Sequence, residues 1–163
     1  MNEVLENIRS RRSIRSYKSD PVPRELIEQV LEAGMYAPTG KGMQSPIILA
    51  VTDKAVRDKL SAMNAKIMGS DSDPFYGAPV VLVVLADRSK PNHVYDGSHS
   101  LGLGSCWIHR AREEFDSEEG KQLLKSLGVT GDYEGIGHCI LGWAKDPAPA
   151  AKPRKADWVY WVE

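Results

Sequence analysis

Apolar positions along this chain fall into short clusters, each with its own period, and strong breakers stand between them. Val4, Leu5 and Ile8 fit one face of a first helix that runs into a basic stretch at 9–15. Pro21-Val22-Pro23 interrupts the chain; Leu26, Ile27, Val30 and Leu31 then recur at helical spacing as far as Gly34. Pro38-Thr39-Gly40-Lys41-Gly42 reads as a loop. Residues 46–51 predict a strand, 53–68 a helix, and 80–85 a β-branched buried strand inside the longest apolar run, 79–86. Residues 102–108 pass from a glycine-rich bend into a short apolar strand. A helix is predicted over 117–127, stopping at Gly128, and a further strand over 135–144. Near the end, Trp158-Val159-Tyr160-Trp161-Val162 alternates aromatic and β-branched residues, which predicts a last strand in need of an edge. If its own subunit offers none, a second subunit must supply it. Strands separated by helices argue for an α/β sandwich, with helices covering a central sheet. No internal repeat breaks the chain up, and residues 1–163 read as a single domain.

Composition narrows the function more than the fold. The 21 basic and 22 acidic residues nearly cancel, to a net charge of −1, so no broad face for a polyanion is expected. That weighs against a general nucleic-acid binder but leaves room for a local arginine cluster. The beginning of the chain is charged and amphipathic, and the run at 79–86 is far too short to cross a bilayer. A signal peptide and a transmembrane span are therefore not expected. Cys106 and Cys139, each in an apolar segment, read as free buried thiols in a reducing cytoplasm. His93, His99, His109 and His138 share no ligand spacing with acids or cysteines, so no metal site is expected; His138, in an apolar strand, reads as a hydrogen-bonded core residue. The acidic pairs Glu113-Glu114 and Glu118-Glu119 read as solvated helix faces, and no catalytic triad can be assembled.

The chemistry-bearing residues concentrate in a few patches. Ser10-Arg11-Arg12-Ser13-Ile14-Arg15-Ser16-Tyr17 sets three guanidinium forks and hydroxyls close together, donors that suit phosphate oxygens. The same stretch also suits a basic helix end facing the negative pole of the first helix. Lys152-Pro153-Arg154-Lys155 forms a second basic group, able to join the first on one dianion or to stand as an ordinary charged tail. Residues 38–44, from Pro38 to Gln44, offer amides, a hydroxyl and a side-chain amide, with glycines that permit close approach. Neither this loop nor Gly102-Leu103-Gly104-Ser105 has the spacing of a Walker loop or a dinucleotide fingerprint.

Taken in order, these patches resemble the nitroreductase family. Arg11 to Tyr17, then Pro21-Val22, then Ala37-Pro38-Thr39-Gly40 with Gln44 look like that family's opening; Gly102-Leu103-Gly104-Ser105-Cys106-Trp107-Ile108 and Lys152-Pro153-Arg154 resemble its later signatures. Together they span almost the whole chain. The resemblance implies an α+β fold, with a mostly antiparallel central sheet flanked by helices and a C-terminal strand exchanged with a partner. It implies a homodimer with FMN at the interface, reduced by NADH or NADPH. By position, Arg11 and Ser13 would hold the phosphate and ribityl end with Lys152 and Arg154, and Arg12, within the same motif, would also belong to the cofactor site. Arg15 would stabilise the charge that reduction places on the pyrimidine edge. Pro38, Thr39 and Gly40 would come from the partner subunit, with Gln44 nearby, and Asn64 would match a family asparagine that bonds the flavin. Trp107, Ile108 and His109 would pass the central ring, where a main-chain amide can donate toward N5; His109 is also a candidate proton donor to the acceptor.

The implied activity is a ping-pong transfer of electrons from NAD(P)H to a nitroaromatic, quinone or enone. Two departures stand out. Gly42 lies where the family carries a nearby asparagine. Residues 95–101 join the 80–85 strand to Gly102 directly, in place of a long apolar central helix that would be longer by roughly three turns, about 15 Å. The alternative that follows from the second departure is a flavin-binding or remnant protein that has lost turnover with that helix.

Overall fold

The computed structural model describes residues 2–37, 42–90 and 104–153. Within them the chain runs α1 (Glu3–Ser10), α2 (Arg24–Met35), β1 (Pro46–Val51), α3 (Lys54–Met68), β2 (Val80–Asp87), β3 (Gly104–Ile108), α4 (Ala111–Asp116), α5 (Glu118–Ser126) and β4 (Tyr133–Gly142). The strands form one sheet in the order β1-β2-β4-β3, and every neighbouring pair is antiparallel. This is the α+β arrangement, helices packed on an antiparallel sheet. The predicted last strand at 158–162, the short link at 95–101, His93 and His99 lie outside the described residues.

β2 explains why the sheet is covered on both faces. Its run Val80-Val81-Leu82-Val83-Val84-Leu85-Ala86 is buried throughout, because alternate side chains enter different cores. Val81, Val83 and Leu85 join Ile140, Cys106 and Ile108 beneath α3, α4 and α5, with Phe75 and Phe115 as the largest fully buried members. Val80 and Leu82 pack with Leu141 against Ile27 and Val30 of α2. A register shift between Val84 and Leu85 places Ile136 as an extra residue in β4, a bulge that bends that strand.

Local signals set the helix ends. Asp53 accepts from Val56 N at 2.9 Å to start α3, and Gly69, at φ 68°, ends it. Ser117 Oγ accepts from Gly120 N at 3.0 Å to start α5. The connection from α3 to β2 is tied by Asp73, which accepts from Ser61 Oγ at 2.7 Å, Phe75 N at 2.9 Å and Gly77 N at 2.7 Å, and pairs with Arg57. Arg57 also donates to Ala78 O at 3.1 Å.

α4 departs from the sequence expectation. Glu113-Glu114 reads as a solvated helix face, yet Ala111 and Phe115, one turn apart, are buried, and Glu114 between them is fully buried. The helix can sink this far because Gly135 has no side chain: a Cβ there would stand 2.1 Å from Ala111 O. The reading of Glu113-Glu114 as a solvated pair therefore fails at Glu114, whereas Glu113, Glu118 and Glu119 are exposed.

Candidate functional site

The basic stretch leaves α1 as extended chain and is stitched to the open edge of the sheet. Ser13 bridges Ser105 of β3, Ile14 N donates to Ser105 O at 3.0 Å, and Tyr17 bridges Ala144 just past β4. Lys18 N to Trp143 O (2.9 Å) and Lys145 N to Ser16 O (3.0 Å) complete the seam. Ile14 and Tyr17 are the buried anchors, and the Tyr17 hydroxyl donates to Ile14 O at 2.9 Å. Burial, helped by nearby Cys106, pushes the Tyr17 phenol well above its usual range, so it serves as a fixed neutral donor.

Two-residue alternation then sorts the side chains from 11 to 15. Arg12 and Ile14 turn inward, while Arg11 and Arg15 are exposed and Ser13 is half-buried between them. Arg12 is engaged through one nitrogen: its Nη1 donates to Arg9 O, Ser10 O and Arg11 O at 2.8–2.9 Å, closing the C-terminal end of α1, while its buried Nε has no hydrogen-bond partner among the described residues. The helix-end reading thus describes the Nη1 of Arg12. No carboxylate pairs with Arg11 or Arg15 among the described residues, which leaves two free cations flanking a hydroxyl. Lys152 is likewise exposed and makes no ion pair there.

β3 continues the same edge. Because Ser105 presents its carbonyl outward to Ile14, the main-chain groups of Trp107 face outward as well, beyond the point where the basic stretch covers the edge. Trp107 is partly exposed, and its indole lies over Gly137 of β4, where a Cβ would come within 2.0 Å of the ring. Ile108 is buried in the core and His109 is exposed. Arg11, Ser13, Arg15 and Trp107 to His109 are thus brought to one edge of one sheet.

The other expected residues are not. Gln44, exposed in a left-handed turn at φ 47° after Gly42, precedes β1, the opposite edge of the sheet. Three strand spacings, about 14 Å, separate those edges. Pro38, Thr39, Gly40 and Arg154 lie outside the described residues. Asn64 is fully buried, and its amide is spent inside the protein: Nδ2 donates to His109 O at 2.9 Å and to Glu114, while Oδ1 accepts from Arg110 Nε at 2.8 Å. A direct bond from Asn64 to a ligand is not available in this arrangement.

Sequence reasoning missed the cluster around Asn64. Glu114 Oε2 and His138 Nε2, both fully buried, stand 3.3 Å apart without the alignment of a hydrogen bond, and His138 Nδ1 has no partner either. Phe75 and Phe115 enclose the imidazole at ring distances of 5.2 and 6.4 Å. His138 is a core residue as expected, but the bonding expected of it is absent. Glu114 could have been suspected only from Ala111 and Phe115 flanking it at helical spacing. Of the two free thiols, Cys106 is buried and Cys139 half-buried; burial, with Cys106 adding to it, raises the Cys139 thiol to about 11, which keeps it protonated.

Comparison with known proteins bears on the family and the fold. The Nitroreductase family model matches residues 8–70, the span that includes the basic stretch. An FMN reductase (NAD(P)H) from Bacillus subtilis is 32% identical over 103 residues, 63% of this chain and 39% of the relative. The chain thus spans well under half the length of that reductase. A nitroreductase with bound FMN from Bacteroides fragilis superposes with a TM-score of 0.84 at 28% identity, covering 100% of both chains. Another with bound FMN, from Desulfitobacterium hafniense, gives 0.85 at 26%, again over the whole of both. The chain has the α+β fold of these proteins and resembles the nitroreductase family over residues 8–70.

Proposed function

We propose that this protein is an FMN-dependent oxidoreductase that takes electrons from NADH or NADPH and passes them to a nitroaromatic, quinone or enone, each using the same face in turn. The observation that carries the reading is the row Arg11-Ser13-Arg15 on the sheet edge, two cations without acidic partners among the described residues, beside the main-chain edge at Trp107. Those residues fit FMN. A phosphate dianion suits the Arg11 fork and the Ser13 hydroxyl, with Lys152 and Arg154 closing in from the far end of the chain. Arg15 is free to sit by the pyrimidine edge, where a fixed cation favours the reduced form. When bound, FMN supplies the hydride chemistry, and the protein supplies position and charge. His109, exposed just after β3, is the proposed proton donor to the acceptor.

The site is completed by a second subunit. Within one chain, Gln44 belongs to the edge remote from β3, so Pro38, Thr39, Gly40 and Gln44 reach the flavin from a partner in a homodimer. The exchanged strand at 158–162 belongs to the same assembly. Among the described residues no helix is long and apolar enough to cross a membrane, and we place the enzyme in the cytoplasm.

The test is the visible spectrum of the purified protein before and after anaerobic NADH or NADPH. Flavin bands that bleach support the proposal. Bound flavin that stays oxidised points to a non-catalytic flavin protein. Protein that takes up no added FMN overturns the reading.

A further inference from the structure

We infer that Asn64, held between Glu114 and Arg110, is a positioning residue for the flavin-facing main chain at Trp107–His109. The inference rests on the proposed flavin site and gives a buried cluster outside that site a place in its geometry. Three observations carry it. First, Asn64 Nδ2 donates to His109 O at 2.9 Å, the carbonyl immediately after β3, so the strand end is gripped by a side chain from α3. Second, the amide that does this is itself fixed. Its second Nδ2 proton goes to the buried Glu114, and Arg110 Nε donates to its Oδ1 at 2.8 Å. Third, the chain at Arg110 is left-handed, φ 79°, a conformation that a side chain other than glycine adopts only when its surroundings impose it.

The register extends the grip. Ile108 pairs with His138 on β4, and His138 faces Glu114, so strand, helix α4 and helix α3 meet at one fully buried polar centre. Burying a carboxylate, an amide and an imidazole costs stability unless they are well paired, and here one carboxylate oxygen and both ring nitrogens lack a hydrogen bond. An apolar trio would fill the space more cheaply. What the polar cluster adds is a directional hold on one carbonyl. An edge strand tethered to β4 alone would otherwise end free at that point. An amide that must meet a ligand atom within a few tenths of an ångström needs such a hold.

The test uses Asn64→Ala and Arg110→Ala, with Asp73→Asn as a destabilised control in the α3–β2 connection. Two readouts are taken on the FMN-loaded protein: deuterium uptake over 107–110, and the limiting rate of anaerobic flavin bleaching against NADH concentration. Both cluster variants should exchange about tenfold faster over 107–110, as expected when one local hydrogen bond no longer opposes opening. The limiting bleaching rate should fall about tenfold, as for small misplacement of a reacting group, while the half-saturating NADH concentration stays unchanged. Asp73→Asn should lower the melting temperature and alter neither readout. Wild-type protection over 107–110 in the variants, or lost protection with an unchanged limiting rate, overturns the inference alone. If Asn64→Ala does not fold, Arg110→Ala, at a partly exposed side chain, decides the matter. A wild-type protein that takes up no FMN overturns the flavin site and this role with it.

Discussion

At the scale of single residues, three neighbouring arginines divide into two kinds of work, and the division is physical. Arg12 has its guanidinium on three carbonyls at the end of α1, whereas Arg11 and Arg15 meet no carboxylate among the described residues. A charge-assisted hydrogen bond contributes about 1.5–3 kcal/mol, so Arg11→Ala should weaken FMN binding roughly 10- to 100-fold without a change in melting temperature. Arg12→Ala should do the reverse, costing about 1 kcal/mol of stability through the helix end and leaving FMN affinity within a factor of three. Fluorescence titration with FMN beside thermal denaturation separates the two. Equal losses of affinity in both variants would mean that the cap is also a ligand. The sequence alone could not make this division. Arg11-Arg12-Ser13 reads as one cluster until the seam to Ser105 fixes which positions turn inward.

At the scale of elements, legibility follows from how much each segment depends on its own sequence. β1 and α3 lie within a residue of their predicted bounds, because 46–51 is apolar between breakers and Asp53 and Gly69 mark the helix ends themselves. α4 was illegible: its apolar residues number two, and it is held by the absence of a side chain at Gly135, more than twenty positions later. The tie between α3 and β2 was equally hidden, since Asp73 sits in a loop twelve residues from Ser61. Burial alone would raise the Asp73 carboxyl, but hydrogen bonds from Arg57, Ser61 and the amides of Gly77 and Phe75 outweigh it and hold the group below its ordinary 3.8. The folded state therefore binds fewer protons than the unfolded one through this group. Its contribution is complete above the unfolded value and is lost as pH falls through the lower folded value. Asp73→Asn should cost about 1–2 kcal/mol at pH 7, a figure reduced for the partial exposure of the carboxylate. In urea denaturation the gap between wild type and variant should narrow as pH falls below 4. A gap that stays constant down to pH 2.5 would remove the ion from the account.

At the scale of the whole molecule, α1 poses a problem that the described residues do not solve. It has both ends capped, by Asn2 accepting from Val4 N at 2.8 Å and by Arg12, yet none of its residues is buried. Val4, Leu5 and Ile8 are 63%, 53% and 57% exposed, and Tyr36, at the end of α2, is 83% exposed. Eight residues are too few for a helix to persist on hydrogen bonding alone, so packing must come from outside the described residues. The helix also delivers Arg11 directly to the sheet edge, so whatever covers its apolar face would hold the arginines of the proposed flavin site in register. The proposed second copy would meet both demands. Ile8→Asp places a charge in that contact and is expected to shift the protein from dimer to monomer in sedimentation velocity, with FMN lost in the same step. The substitution touches no residue of the proposed phosphate site, so the two losses are linked only through the assembly. A monomeric Ile8→Asp that still binds FMN at wild-type affinity would show that one subunit holds the flavin by itself and that α1 covers some other surface. A dimer that survives the charge would place the interface elsewhere on the molecule.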